Sequence, residues 1–113
     1  EGMKRGDLVT IAVSGDYGKP RPALVVQDDA FADLSAITVL RLTSDLHDWP
    51  TFRVTVEPTP ENGLRQRSQV MIDRAIALPR AKVGAVFGTL DADTMTIVDA
   101  AIIRFFGVGG RAL

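Results

Sequence analysis

The sequence predicts a small, mostly antiparallel β-barrel with one helix packed on it at the C-terminal end. Two observations carry this: several short apolar runs of β-branched residues separated by turn residues, and a single closing segment whose apolar residues recur at three and four. At 113 residues the chain has the size of one domain, and we read 1–113 as a single unit. Glu1 and Gly2 ahead of Met3 read as residues left by an expression vector.

The elements follow in order. Residues 8–13 form a β-rich run in which Val9, Ile11 and Val13 share a face, and it ends at Ser14-Gly15-Asp16-Tyr17-Gly18-Lys19-Pro20, a loop unable to continue a sheet. Arg21-Pro22 then opens a central strand over 23–27, so the first two strands make a hairpin with an exposed tip. An acidic turn leads to a third strand over 36–42, followed by the polar loop Thr43-Ser44-Asp45-Leu46-His47-Asp48-Trp49-Pro50. Residues 51–56 alternate as a fourth strand, which Pro58, Pro60 and the Asn62-Gly63 turn signal end.

Ser68-Gln-Val-Met-Ile-Asp73 reads as a fifth strand ending on a carboxylate, with Val70 and Ile72 on one face and Gln69, Met71 and Asp73 on the polar one. Residues 74–78 follow up to a break at Pro79, then one helical turn at 80–83 and a short last strand at 84–89. Asp91 suits the N-cap of the closing helix, Asp93 complements its dipole and Gly107 suits its stop. Met95, Val98, Ile102 and Phe105 form its core stripe, and 107–113 reads as a frayed tail.

Composition narrows the function. Without cysteine there is no disulfide framework, thiolate metal site or cysteine nucleophile, and a single histidine, His47, argues against a His-based metal centre. No cofactor or metal is expected. A formal net charge of −1 argues against a strongly basic, charge-driven nucleic-acid binder, although a local basic groove would escape that count. No apolar run reaches membrane length, and the expected location is the cytoplasm.

Three separated pieces have the composition to converge on one site: Arg21 after the glycine-rich loop, Thr43-Ser44 after the third strand, and Asp73. With Arg5-Gly6-Asp7-Leu8-Val9 and Arg21-Pro22-Ala23-Leu24-Val25-Val26, they resemble in order and spacing the MazF/PemK (Kid) family of toxins from toxin–antitoxin pairs. The resemblance implies an SH3-like barrel, a homodimer, and metal-independent cleavage of single-stranded RNA by 2′-OH attack, giving a 2′,3′-cyclic phosphate and a 5′-OH. It implies a cognate antitoxin whose acidic, partly disordered segment covers the RNA groove. Arg21 would clamp phosphoryl oxygens with its planar fork, Thr43 would position the phosphate or the 2′-OH, and Asp73 would be the available base. Lys19, Ser44, Gln69 and Arg74 are candidate RNA contacts, and Trp49 and Phe52 are either base-stacking or packing residues.

Two positions depart from some family members. A histidine in the first long loop is replaced by the neighbourhood of Asp16, Tyr17 and Lys19, and an arginine two residues before the aspartate by Met71, so the proton donor stays open. Two other readings share the fold: a CcdB-like gyrase poison that cuts nothing, and an SH3-like interaction module.

Overall fold

The computed structural model describes residues 2–15 and 18–110; Asp16 and Tyr17 of the first loop, and the last three residues of the expected tail, lie outside the described residues. Six strands form one sheet: β1 (Asp7–Ile11), β2 (Arg21–Val25), β3 (Ala36–Thr43), β4 (Arg53–Val56), β5 (Ser68–Pro79) and β6 (Val83–Thr89). Short 3-10 turns at Asp29–Phe31 and Arg80–Lys82 connect β2 to β3 and β5 to β6, and α1 (Ala92–Phe106) closes the chain. Every adjacent pair in the order β4-β5-β3-β2-β1-β6 is antiparallel.

Strand alternation sorts the apolar residues into two clusters, one on each face. Leu8, Leu24, Leu40, Leu42, Val54, Val56, Val70 and Ile72 pack with Leu90 and with Val98 of α1. On the other face Val9, Ile11, Ala23, Val25, Ile37, Val39 and Leu78 pack together with Met3, Val13, Ile76 and Val83. One helix covers only one face of a sheet, so burial of both requires the sheet to curl on itself.

The expected barrel takes the form of an open sheet whose two edges are bridged by a loop. The hydrogen-bonded ladder ends at β4 on one side and β6 on the other. The segment after β4 spans the gap: Thr89 N donates to Glu61 O at 2.9 Å, and the backbone of Asn62 lies directly against Gly88. Asn62 builds this bridge with a buried side chain, accepting from Thr59 N and Leu64 N and donating to Glu57 O at 2.9 Å. Its neighbour Gly63, at φ +67°, has room for no Cβ beside Phe87 O, which explains the Asn-Gly pair in contact terms.

Strand boundaries shift from the expected ones for identifiable reasons. β2 begins at Arg21 because Arg21 and Pro22 already pair with Ile11 and Thr10 of β1, while the ladder to β3 starts only at Ala23, beyond the proline that cannot donate. β5 does not end at Asp73 but continues to Pro79, and this corrects the strand-end reading. Leu42 pairs with Val70 and Leu40 with Ala75, so Met71–Arg74 of β5 stand opposite the single residue Arg41. Such a bulge shifts parity: even residues of β5 join the helix-side cluster up to Ile72 within it (Val70, Ile72) and the opposite cluster after it (Ile76, Leu78).

The helix follows its signals. Asp91 Oδ1 accepts from Thr94 N at 2.7 Å, and Gly107 adopts φ 66° while Val108 N donates to Ile103 O at 3.0 Å. Val98 is fully buried and Met95 and Ile102 are half-buried, but Phe105, at the end of the expected stripe, remains 45% exposed. The Arg-Gly-Asp segment is a structural tie. Arg5 bonds Asp99 of α1 at 2.8 Å and the carbonyl of Val26 at 2.7 Å, while Gly6, at φ 97°, lets the chain turn into β1.

Candidate RNA-cleavage site

The face opposite α1 is apolar at one end and polar at the other. Ala23 pairs with Arg41, and extending that register by two residues sets Arg21 of β2 opposite Thr43 of β3. Thr43 pairs with Gln69 of β5, and Gln69 with Thr55 of β4, so one paired row crosses β3, β5 and β4 at the end of the sheet where β2 begins with Arg21. Alternation puts Arg41, two residues before Thr43, and Arg53, two residues before Thr55, on the same face. Arg21, Arg41 and Arg53 are all half-buried there. A near-neutral net charge therefore conceals a local concentration of guanidinium groups.

Asp73 lies in the bulge of β5 and comes level with Arg41 rather than with Thr43. Its carboxylate is exposed at the surface beside Arg74, whose Nε is 3.7 Å from Asp73 Oδ2. Thr43 Oγ1 accepts from the backbone N of Asp45 at 3.0 Å, which turns the chain out of β3 and leaves the hydroxyl proton free to be donated. Ser44 and Lys19 are exposed, the latter two residues ahead of Arg21. The sheet thus brings Arg21, Thr43 and Asp73 onto consecutive strands, with Lys19, Ser44 and Arg74 around them.

Gln69 has a different position from that expected of an RNA contact. It is only 5% exposed, because the loop after β3 folds over it. Its Oε1 accepts from His47 N at 3.1 Å and from Arg53 Nη1 at 2.8 Å; its Nε2 donates to His47 O at 2.9 Å and to Thr55 Oγ1 at 3.2 Å. A buried amide with both ends engaged holds the loop and the arginine in place. Met71, likewise assigned to a polar face, is buried beside it.

The loop that Gln69 holds carries a pile of rings. His47 stacks on Trp49 with centroids 4.1 Å apart and planes within 8°, Phe52 lies 5.6 Å from Trp49, and Phe105 of α1 lies 6.5 Å from Phe52. The Arg53 guanidinium sits 4.9 Å from the Trp49 ring centroid, and Asp45 Oδ2 lies 3.3 Å from His47 Nε2. Phe52 also packs on the helix-side core, whereas Trp49 remains 43% exposed.

Arg41, Arg53 and His47 were absent from the expected site. Parity along β3 would have placed Arg41 beside Thr43, but Arg53 and His47 depend on cross-strand register and on the loop path, which no local pattern encodes. Among the described residues no three His, Asp or Glu side chains converge as metal ligands would. No helix among them is long and apolar enough to cross a membrane.

The chain falls in a toxin class: residues 4–106 match the family of PemK-like, MazF-like toxins of type II toxin–antitoxin systems, and the chain belongs to that family. It is 40% identical over 109 residues to the probable endoribonuclease MazF of Mycolicibacterium smegmatis, covering 96% of this chain and all of that one. Among solved structures it is similar to the Mycobacterium tuberculosis toxin MazF-mt6, with a TM-score of 0.77, 25% identity, and coverage of 89% of this chain and 96% of that one. A MazE–MazF complex from Deinococcus radiodurans has the same fold at a TM-score of 0.75 and 22% identity, covering 96% of this chain and all of that one.

Proposed function

We propose that this chain is the toxin of a type II toxin–antitoxin pair and acts as a metal-independent endoribonuclease on single-stranded mRNA in the cytoplasm. The observation that carries the proposal is that Arg21, Thr43 and Asp73 stand on three neighbouring strands, β2, β3 and β5, beside the half-buried arginines of that face. The 40% identity to a probable endoribonuclease over that protein's whole length supports it.

The chemistry divides among these groups. Asp73 takes the proton of the ribose 2′-OH, the 2′-oxygen attacks the adjacent phosphorus, and the P–O5′ bond breaks as the 5′-oxygen takes a proton from water, after which Asp73 releases its own proton to the solvent. Arg21 binds the non-bridging oxygens in a bidentate fork, where negative charge grows in the transition state, and Thr43 donates its hydroxyl proton to the same phosphoryl group. The products are a 2′,3′-cyclic phosphate and a 5′-OH. The chain works as a homodimer. An acidic, partly disordered antitoxin segment covers the same face, drawn by the guanidinium groups that bind RNA.

Incubating the purified protein with a long RNA in excess EDTA tests this reading. Fragments carrying 5′-OH and cyclic phosphate ends are expected. Loss of cleavage in chelator, or fragments with 5′-phosphates, overturns the mechanism, and a protein that binds gyrase and leaves RNA intact overturns the function. Sedimentation at micromolar concentration should give a dimer.

A further inference from the structure

We propose that the His47–Trp49 pile is a nucleobase-binding subsite, in which an unpaired base of the RNA adds to the stack on the imidazole face. The proposal rests on the RNA reading above and names where that substrate is recognised. Flat π surfaces left in water beside cations are what single-stranded nucleic acid stacks upon, and here they are built in advance.

Three features distinguish this pile from ordinary packing. First, it is exposed: the His47 side chain is 39% and Trp49 is 43% accessible, although aromatic residues serving only the fold would be expected to turn inward. Second, it is rigid. The buried Gln69 amide grips both the N–H and the carbonyl of His47, which ties the backbone to the sheet, while Trp49 and Asp45 hold the ring itself, so a base meeting it orders little that is not already ordered. Third, a cation is built into it, although Asp45 and Asp48 belong to the same loop. Arg53 lies over the indole, and the loop starts at Thr43, whose hydroxyl holds Asp45 N. The carboxylate facing the imidazole is Asp45, which orients the ring through Nε2 and leaves the ring face open to stacking. Because the indole already carries the imidazole and the guanidinium, the incoming base stacks on His47 and reaches Trp49 through it.

The chain has one tryptophan, so its emission reports on this pile alone. The probe is a short 2′-O-methyl RNA oligonucleotide, which lacks the nucleophile and is not cleaved, titrated in EDTA. Saturable change in Trp49 emission is expected with the wild-type protein. His47→Ala should weaken binding about tenfold, the lower part of the range for removing one base–ring stack, and His47→Phe should recover most of it. Replacing one nucleotide by an abasic spacer should weaken wild-type binding by a similar factor at one position and have no further effect in His47→Ala. Binding of His47→Ala equal to wild type, or an abasic effect that persists in it, overturns the proposal. So does an emission change with an acidic antitoxin peptide but none with RNA, which assigns the pile to protein docking. If long RNA is still cleaved while the pile stays silent, only this inference fails; if RNA is neither bound nor cut, the proposed function fails with it.

Discussion

Replacing Gln69 by alanine separates holding the site from touching RNA. The side chain is 5% exposed and makes four hydrogen bonds, to His47 N and O, Arg53 Nη1 and Thr55 Oγ1. At about 0.5–1.5 kcal/mol net for each, the set is worth about 2–6 kcal/mol. The His47 backbone lies near the surface and can take water once the amide is gone, so a cost of about 3 kcal/mol is expected. For a domain of this size that lowers the melting temperature by about 12 °C, taking about 4 °C for each kcal/mol. Gln69→Glu keeps the acceptor for His47 N and Arg53 but loses the donor to His47 O and Thr55 Oγ1, and should fall between alanine and wild type. Thermal unfolding by circular dichroism, paired with binding of the uncleavable oligonucleotide, reads both effects. If Gln69→Ala melts within about 2 °C of wild type while RNA affinity falls, the amide contacts RNA directly and the holding role is refuted.

Other consequences can be checked in the same preparations. Arg21→Lys keeps the charge but loses the bidentate fork, and single-turnover cleavage should fall about a hundredfold, equivalent to about 2.7 kcal/mol of transition-state stabilisation. Asp73→Asn should lower the single-turnover rate with the fold intact by circular dichroism; a rate equal to wild type removes Asp73 as the base. Gly88→Ala drives a Cβ into the backbone of Asn62, whose Cα would lie 2.8 Å away, and should cost about 1–3 kcal/mol or more by denaturant titration because neither backbone can yield. The Asp91 carboxyl is held below its ordinary range, first by the hydrogen bond from Thr94 N, so its contribution is present above the unfolded carboxyl range and is lost as pH falls through the lowered value. Asp91→Ala should therefore melt lower at neutral pH, and its deficit against wild type should shrink in strong acid.

What could be read directly from the sequence was whatever depends on near neighbours. The caps Asp91 and Gly107 and the loop signal Asn62-Gly63 act within a few residues, and their consequences stood where the residue types put them. The placement of Arg21 and Thr43 was legible for a related reason: Arg21 begins β2 and Thr43 ends β3, each next to a loop, at the same end of two neighbouring antiparallel strands. β5 was not legible beyond Ile72. Its strand reading assumed one uninterrupted period of two, but the bulge at Met71–Arg74 shifts that period, and the signal for it is the partner strand's single Arg41 rather than anything in β5 itself. Gln69 failed for the complementary reason. A polar residue between two apolar ones reads as solvent-facing unless something folds over it, and what folds over it is a loop more than twenty positions away in sequence. The same cover that buries Gln69 fixes His47 and engages Arg53, so the part of the site hidden from the sequence has a single origin. One buried amide converts a polar loop and an edge-strand arginine into a rigid surface beside Thr43. If the proposed roles hold, loosening that amide should therefore weaken the proposed base stacking at the pile more than the proposed phosphate contact of Arg21, which lies on β2 and does not depend on the loop.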